Sequence, residues 1–228
     1  MINDMLQLPL FWATLTIGAF ILGQQVYRLS GNSAFIPPIL TGIALVVTVV
    51  EVTGTPFSTY MQGGDYLHQM LGPVVVMLAV PMYQFLHSMR KQIVRIVLAV
   101  SLGSGVTVAV AAALAHWLIG DAAITTTMHT KSITTPVAVA VSEQVGGIPA
   151  LASVFVMITG LLGALMIPPL LKVTRLDQPQ ALGLALGTCA HAVGTGRAME
   201  LGAQQSAYSA MAMTLTGTLH AVVLPLIL

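Results

Sequence analysis

Apolar residues come in long runs along this chain, and polar residues gather at the ends of the runs. A run needs about 20 residues to cross a bilayer as a helix. The first, Leu8–Leu22, extends through Gln24, Gln25 and Val26 to a flank at Arg28. Ser30-Gly31-Asn32-Ser33 reads as a turn, and Pro37-Pro38 opens a second helix to about Val50. Proline suits that place because first-turn N–H groups have no helical acceptor anyway. A more polar loop, Glu51 to about Asp65, precedes a third run at Tyr66–Leu86, and a fourth covers Ile93–Ile119. Asp121–His129 is a short polar connection. The apolar part of Lys131–Gly146 is too short to span. Three more runs follow at Ile148–Leu171, Ala181–Glu200 and Ser206–Leu228. The pattern predicts an all-α polytopic membrane protein with about seven spanning helices and a re-entrant segment at 131–146.

Composition agrees. The chain is 56% hydrophobic and 7% charged, with mean hydropathy +0.91, where a soluble domain carries about 25% charged residues. The eight Lys and Arg are scattered or sit at run ends. No basic groove tracks phosphates, so nucleic acid is not an expected partner. Cys189 stands alone, which excludes an intramolecular disulfide and a cysteine metal cluster; it reads as a small packing residue. No metal and no cofactor are expected. Asp4, not a basic stretch, precedes the first run, which reads as a membrane helix and not a removable signal peptide.

Charge also orients the runs. Arg90, Lys91 and Arg95 form the densest basic cluster, which the positive-inside rule places in the cytoplasm. Lys172 and Arg175 fall on the same side only if 131–146 enters the membrane without crossing it. The expected topology has the N-terminus outside and the C-terminus inside. The helices at 34–50, 66–87 and 93–119 then run opposite to those at 148–171, 181–200 and 206–228, the signature of an inverted repeat with broken crossing helices. The expected organisation is one membrane domain, 1–228, with repeats at 34–119 and 131–228.

Breaks are expected where glycine and proline interrupt apolar runs. Gly72, Pro73 and Pro81 mark the third run, the two prolines freeing the carbonyls of Gln69 and Met77. Gly187–Glu200, GTCAHAVGTGRAME, is the richest stretch. Gly183, Gly187, His191 and Gly194 share one helical face, bare enough for another backbone to approach, and Gly194-Thr195-Gly196 loosens the helix before Arg197. Two readings stand: a tight packing seam with a structural histidine, or an unwound transport-site helix.

Four pieces resemble the LrgB/CidB family: LGPVVVMLAVPMY at 71–83, KSITTPVAVAVSEQVGG at 131–147, TGLLGALMIPPLLK at 159–172 and LGLALGTCAHAVGTGRAMELG at 182–202. They cover the C-terminal two-thirds in order. That family is called antiholin-like, or a controller of murein-hydrolase export, while other members, plastid relatives included, are associated with small monocarboxylates such as pyruvate, glycolate and glycerate. The resemblance implies a broken-helix secondary transporter in the bacterial cytoplasmic membrane. It also implies a smaller LrgA/CidA-type membrane partner, with homo-oligomers open.

The residues suit a small carboxylate. Oriented N–H groups at a helix N-terminus bind anions, and Thr134-Thr135-Pro136 reads as such a terminus, or Pro136 as a plain kink. Lys131 pairs with an anion or snorkels to the interface. Glu143 is a proton carrier or an interfacial charge. Thr188 and Thr195 share a face near His191, a candidate proton carrier or a hydrogen-bonded structural residue. Arg197 clamps a carboxylate or pairs with Glu200; Gly194 and Thr195 complete the candidate substrate set. His68, His87, His116, His129 and His220 read as interfacial. Hydrolase and nucleotide-binding motifs are absent, so no enzyme is expected. The leading expectation is a secondary carrier for monocarboxylates, with proton coupling through His191 or Glu143. The rival is an antiholin-like regulator of murein-hydrolase export and lysis with no transport of its own. A holin-like pore ranks third, because it needs continuous polar helix faces.

Overall fold

Lipid offers no partner to backbone N–H and C=O groups, so apolar runs of this length fold as helices. The computed structural model describes residues 5–31, 36, 38–70, 73, 76–77, 79–176 and 178–228, with Pro81 by its backbone alone. Among the described residues it holds ten helices: α1 Pro9–Leu29, α2 Pro38–Thr53, α3 Phe57–Gln69, α4 Ala79–Lys91, α5 Ile93–Leu118, α6 Ala122–Met128, α7 Thr135–Gln144, α8 Pro149–Val173, α9 Pro179–Leu201 and α10 Ala203–Ile227. Four of them, α1, α5, α8 and α10, are long and apolar enough to cross a membrane. Large apolar side chains such as Leu102, Val106, Trp117, Leu170 and Leu226 lie exposed on them. A water-soluble protein hides such surface, and here lipid covers it. This is an all-helical membrane protein.

The chain forms two compact units, Met1–Met77 and Leu78–Leu228. In the first, α1–α3 pack around Trp12, which is fully buried, donates from Nε1 to the Leu6 carbonyl at 2.9 Å and meets the Tyr60 ring edge-on at 5.8 Å. Gly42 lets α2 approach the α1 backbone at Phe20. A cavity of about 430 Å³, lined mainly by apolar residues such as Phe20, Val46 and Phe57, lies within this unit.

The expected loop at 51–65 is largely the helix α3, and in the second unit the expected ladder of crossings fails at α9. The run at Ala181–Glu200 does not cross. His191 in α9 has φ 41 and ψ −128, far from helical values, and the chain folds back there. In an unbroken helix Leu182 and Ala198 stand about 24 Å apart, yet they share an apolar cluster with Leu186. A Cβ on Gly194 would collide with the Leu186 carbonyl on the other arm. The first arm runs parallel to α10, its Gly183 against Gln205 and its Gly187 against Ser209. Gly202, at φ 146, makes the tight turn from the second arm into α10.

Residues 121–148 form a second fold-back. The end of α6 meets the start of α8, where the Ile148 N–H donates to Thr127 Oγ1 at 2.8 Å. α7 has ten residues, about 15 Å of helix, and returns along α8. The two hairpins enter from opposite ends. Ile96 and Val100 at the α5 start cluster with Ala207, Tyr208 and Ala212 at the α10 start, and Val108 farther along α5 clusters with Leu224. So α5 and α10 run parallel, with α8 antiparallel between their ends. The C-terminus therefore lies at the opposite end of the unit from Arg90, Lys91 and Arg95. The expectation that it lies beside them fails because α9 returns instead of crossing.

In the third run, Gly72 lies outside the described residues. Pro73 and the backbone of Pro81 are both helical.

Candidate functional site

The tips of the two hairpins meet at one depth. One tip is His129–Thr134, the other is His191. Ile133 packs in one apolar cluster with Val156, and His191 Nε2 bonds the Val156 carbonyl at 3.0 Å. Lys131 is near enough for its charge to act on Cys189, His191 and His220. Gly103 and Thr107 of α5 complete this level, with Thr107 Oγ1 4.0 Å from Cys189 Sγ.

The His191 tip is bonded and packed. The imidazole, 2% exposed, lies over Gly160, where a Cβ would strike the ring. Thr195 Oγ1 reaches the His191 carbonyl at 2.9 Å and Ser209 Oγ at 2.9 Å. These bonds hold a backbone conformation that a β-substituted residue rarely adopts. The break thus falls at His191 and not at Gly194-Thr195-Gly196, which is helical. Gly194 closes the two arms together, and Gly196 faces open space. Because of the fold-back, Thr188 and Thr195 do not share a face: Thr188 looks to Gly103 of α5, and Thr195 to Ser209 of α10. Arg197 lies six residues down the second arm. It is mostly buried and paired with Glu200.

The other tip holds polar groups that the fold leaves unspent. Thr134 takes the N-cap position of α7 with φ −67 and ψ 146, but its side chain makes no cap bond. The first helical bond runs from the Ala138 N–H to the Thr134 carbonyl at 2.9 Å. The N–H groups of Thr135 and Val137 therefore precede any intrahelical acceptor, and Pro136 has none. Thr135 and Pro136 are exposed, and Lys131 and Thr134 are half-buried. Lys131 Nζ donates to Ser132 Oγ at 3.2 Å. Among the described residues no carboxylate pairs with it; the ion pair found there is Arg197–Glu200. Glu143, at the far end of α7, is exposed.

The structure thus gathers Lys131, Thr134, Thr135, Pro136 and His191 at one level. Gly194 and Thr195 lie just behind the His191 tip, and Arg197, Gly196 and Glu143 lie farther off. It also adds residues that the sequence reading placed elsewhere. His220, expected at an interface, is 4% exposed, and its Nδ1 has no hydrogen-bond partner. Thr216, one turn earlier on α10, is 1% exposed, and its Oγ1 is also unpartnered. His129 is half-buried, with Nδ1 2.9 Å from the Thr125 carbonyl. The signal for His220 was present: Thr216 and His220 fall at i, i+4 inside an apolar run, where polar groups are expensive.

Comparison with known proteins shows the family of this chain. The model of the LrgB-like family matches residues 16–228. Uncharacterized protein YwbG of Bacillus subtilis (strain 168) is 33% identical over 214 residues, covering 94% of this chain and 95% of that protein. YxaC of the same strain is 34% identical over 219 residues, 93% of this chain and 92% of that protein. Antiholin-like protein LrgB of Bacillus mycoides (strain KBAB4) is 30% identical over 222 residues, 96% and 95% respectively. No solved structure matches.

Proposed function

This chain belongs to the LrgB-like family, and from that premise we propose that it is a secondary carrier of small monocarboxylate anions in the bacterial cytoplasmic membrane. Lys131 carries this reading. It is a half-buried ammonium at a hairpin tip, with a hydroxyl as its hydrogen-bond partner and no acid beside it among the described residues. Charges within membrane segments pair with one another or mark a solute path. The start of α7 supplies oriented N–H groups and the positive end of a helix dipole at the same place. Thr134 and Thr135 add hydroxyl donors. That set suits one carboxylate. Arg197, by contrast, has Glu200 as its counter-ion. Opposed hairpins around such a site suit alternating access.

An LrgA/CidA-type small membrane protein is the proposed partner. The test is uptake of labelled pyruvate, glycolate and lactate into vesicles that hold this chain alone or with that partner. Gradient-driven uptake that Lys131→Gln removes supports the reading. Absence of uptake of all three acids in both preparations refutes it.

A second reading rests on the name "antiholin-like" carried by relatives in Bacillus. It makes the chain a regulator of murein-hydrolase export and lysis. Such a regulator needs surfaces and no anion site, so Lys131→Gln leaves its lysis phenotype intact.

A further inference from the structure

His220 lies at the polar level with its Nδ1 unpartnered. Its ring is 4% exposed, and Nδ1 lacks a partner, as does Thr216 Oγ1 one turn away. Buried polar atoms are nearly always satisfied, so an orphaned pair on one helix face calls for an explanation. The groups that face it are cationic or neutral. Lys131 and His129 belong to the first hairpin tip, whose Ile133 packs in one apolar cluster with Leu224, one turn past His220. On α9, His191 spends Nε2 on Val156. On α5, His116 and Arg95 are exposed at the two ends, and on α7 Glu143 is exposed. On α4, His87, Arg90 and Lys91 are exposed near the Tyr208 end of α10. Tyr208 is the remaining titratable group on α10, 12 residues from His220.

We propose that His220 takes up one proton for each anion held at Lys131, so that anion and proton bind as a pair. This rests on the carrier reading above. A neutral imidazole has one lone pair, and the added proton makes both ring nitrogens donors. Nδ1–H then has an acceptor in the carboxylate. Without the anion, two positive charges would share a buried level. With it, one negative charge stands against both. By linkage, the proton strengthens anion binding by the same factor as the anion strengthens proton binding.

The test uses the purified full chain in nanodiscs, with sodium pyruvate as the probe, reading anion affinity and dye-detected proton uptake together. The wild-type protein is expected to take up one proton per anion, its affinity falling about tenfold between about pH 7 and pH 8. His220→Gln is expected to keep anion binding within about tenfold of the wild type at pH 7, with a flat pH profile and no proton uptake. His220→Asn serves as a second variant if His220→Gln lowers the folded yield, and the same flat profile is expected. A folded variant at position 220 that binds pyruvate with the wild-type slope and proton uptake overturns the proposal and spares the carrier reading. A wild-type protein that binds no pyruvate, glycolate or lactate, either alone or together with the LrgA/CidA-type partner, overturns both.

Discussion

Lys131→Gln is expected to lower carboxylate affinity about ten- to more than hundredfold, because a charge-assisted hydrogen bond is worth about 1.5–3 kcal/mol. Lys131→Arg keeps the charge and is expected to restore much of it. Isothermal titration on the same folded samples measures both. Arg197 carries the same charge in different company, with Glu200 beside it. Arg197→Ala is therefore expected to leave anion affinity within about threefold, while lowering thermal stability because a mostly buried partner and its packing are lost. A hundredfold loss of affinity in well-folded Arg197→Ala would move the anion site down the second arm of α9. For His191 the expected effect is on folding. His191→Ala removes the bond to Val156, leaves a void over Gly160 and keeps the strained backbone. A loss of about 2–4 kcal/mol follows, seen as a fall in melting temperature.

At the scale of elements, the glycines separate two ideas of how α9 is built. A Cβ on Gly187 would strike the Ser209 carbonyl of α10, and one on Gly194 the Leu186 carbonyl of the facing arm. Gly187→Ala and Gly194→Ala are expected to destabilise by about 1–3 kcal/mol, since backbone atoms must shift. Gly196 has open space around it and a helical backbone. Gly196→Ala is expected to be neutral or to stabilise by up to about 1 kcal/mol. A severe loss at Gly196 would restore the break that the sequence suggests there. Thermal denaturation of the three variants in one detergent gives the comparison. Periodicity found the glycine face because repeated small residues do make a close seam. It misplaced the break because glycine is only permissive. The actual fold-back is imposed on a histidine by its bond to the Val156 carbonyl and by the bond from Thr195, itself tied to Ser209; Val156 and Ser209 lie far along the chain and leave no local mark.

For the whole molecule, run length found α1, α5, α8 and α10, because crossing a bilayer fixes a length and an apolar content. It also marked 131–146 as too short to cross. It counted Ala181–Glu200 as a crossing because a run of about 20 residues is long enough, and hydropathy does not register a reversal in the middle. Thr188, His191, Thr195 and Arg197 inside that run were the available warning. The topology can be read directly. With Cys189→Ala as background, cysteines at 121, 146 and 228 are expected to react with a membrane-impermeant maleimide from one side, and cysteines at 92, 175 and 202 from the other. Labelling of positions 175 and 202 from opposite sides would mean that α9 crosses.

The two hairpin tips are unequal. One is fastened by His191, Thr195 and Ser209. The other leaves Lys131 and the start of α7 with few internal ties. If both act as doors, one is stiff and one is pliant, and the empty carrier rests facing the pliant one. Half-saturation then differs between inward and outward travel, since each direction begins from a different share of ready carriers. The final accumulation ratio is unaffected, because the driving gradient alone fixes it.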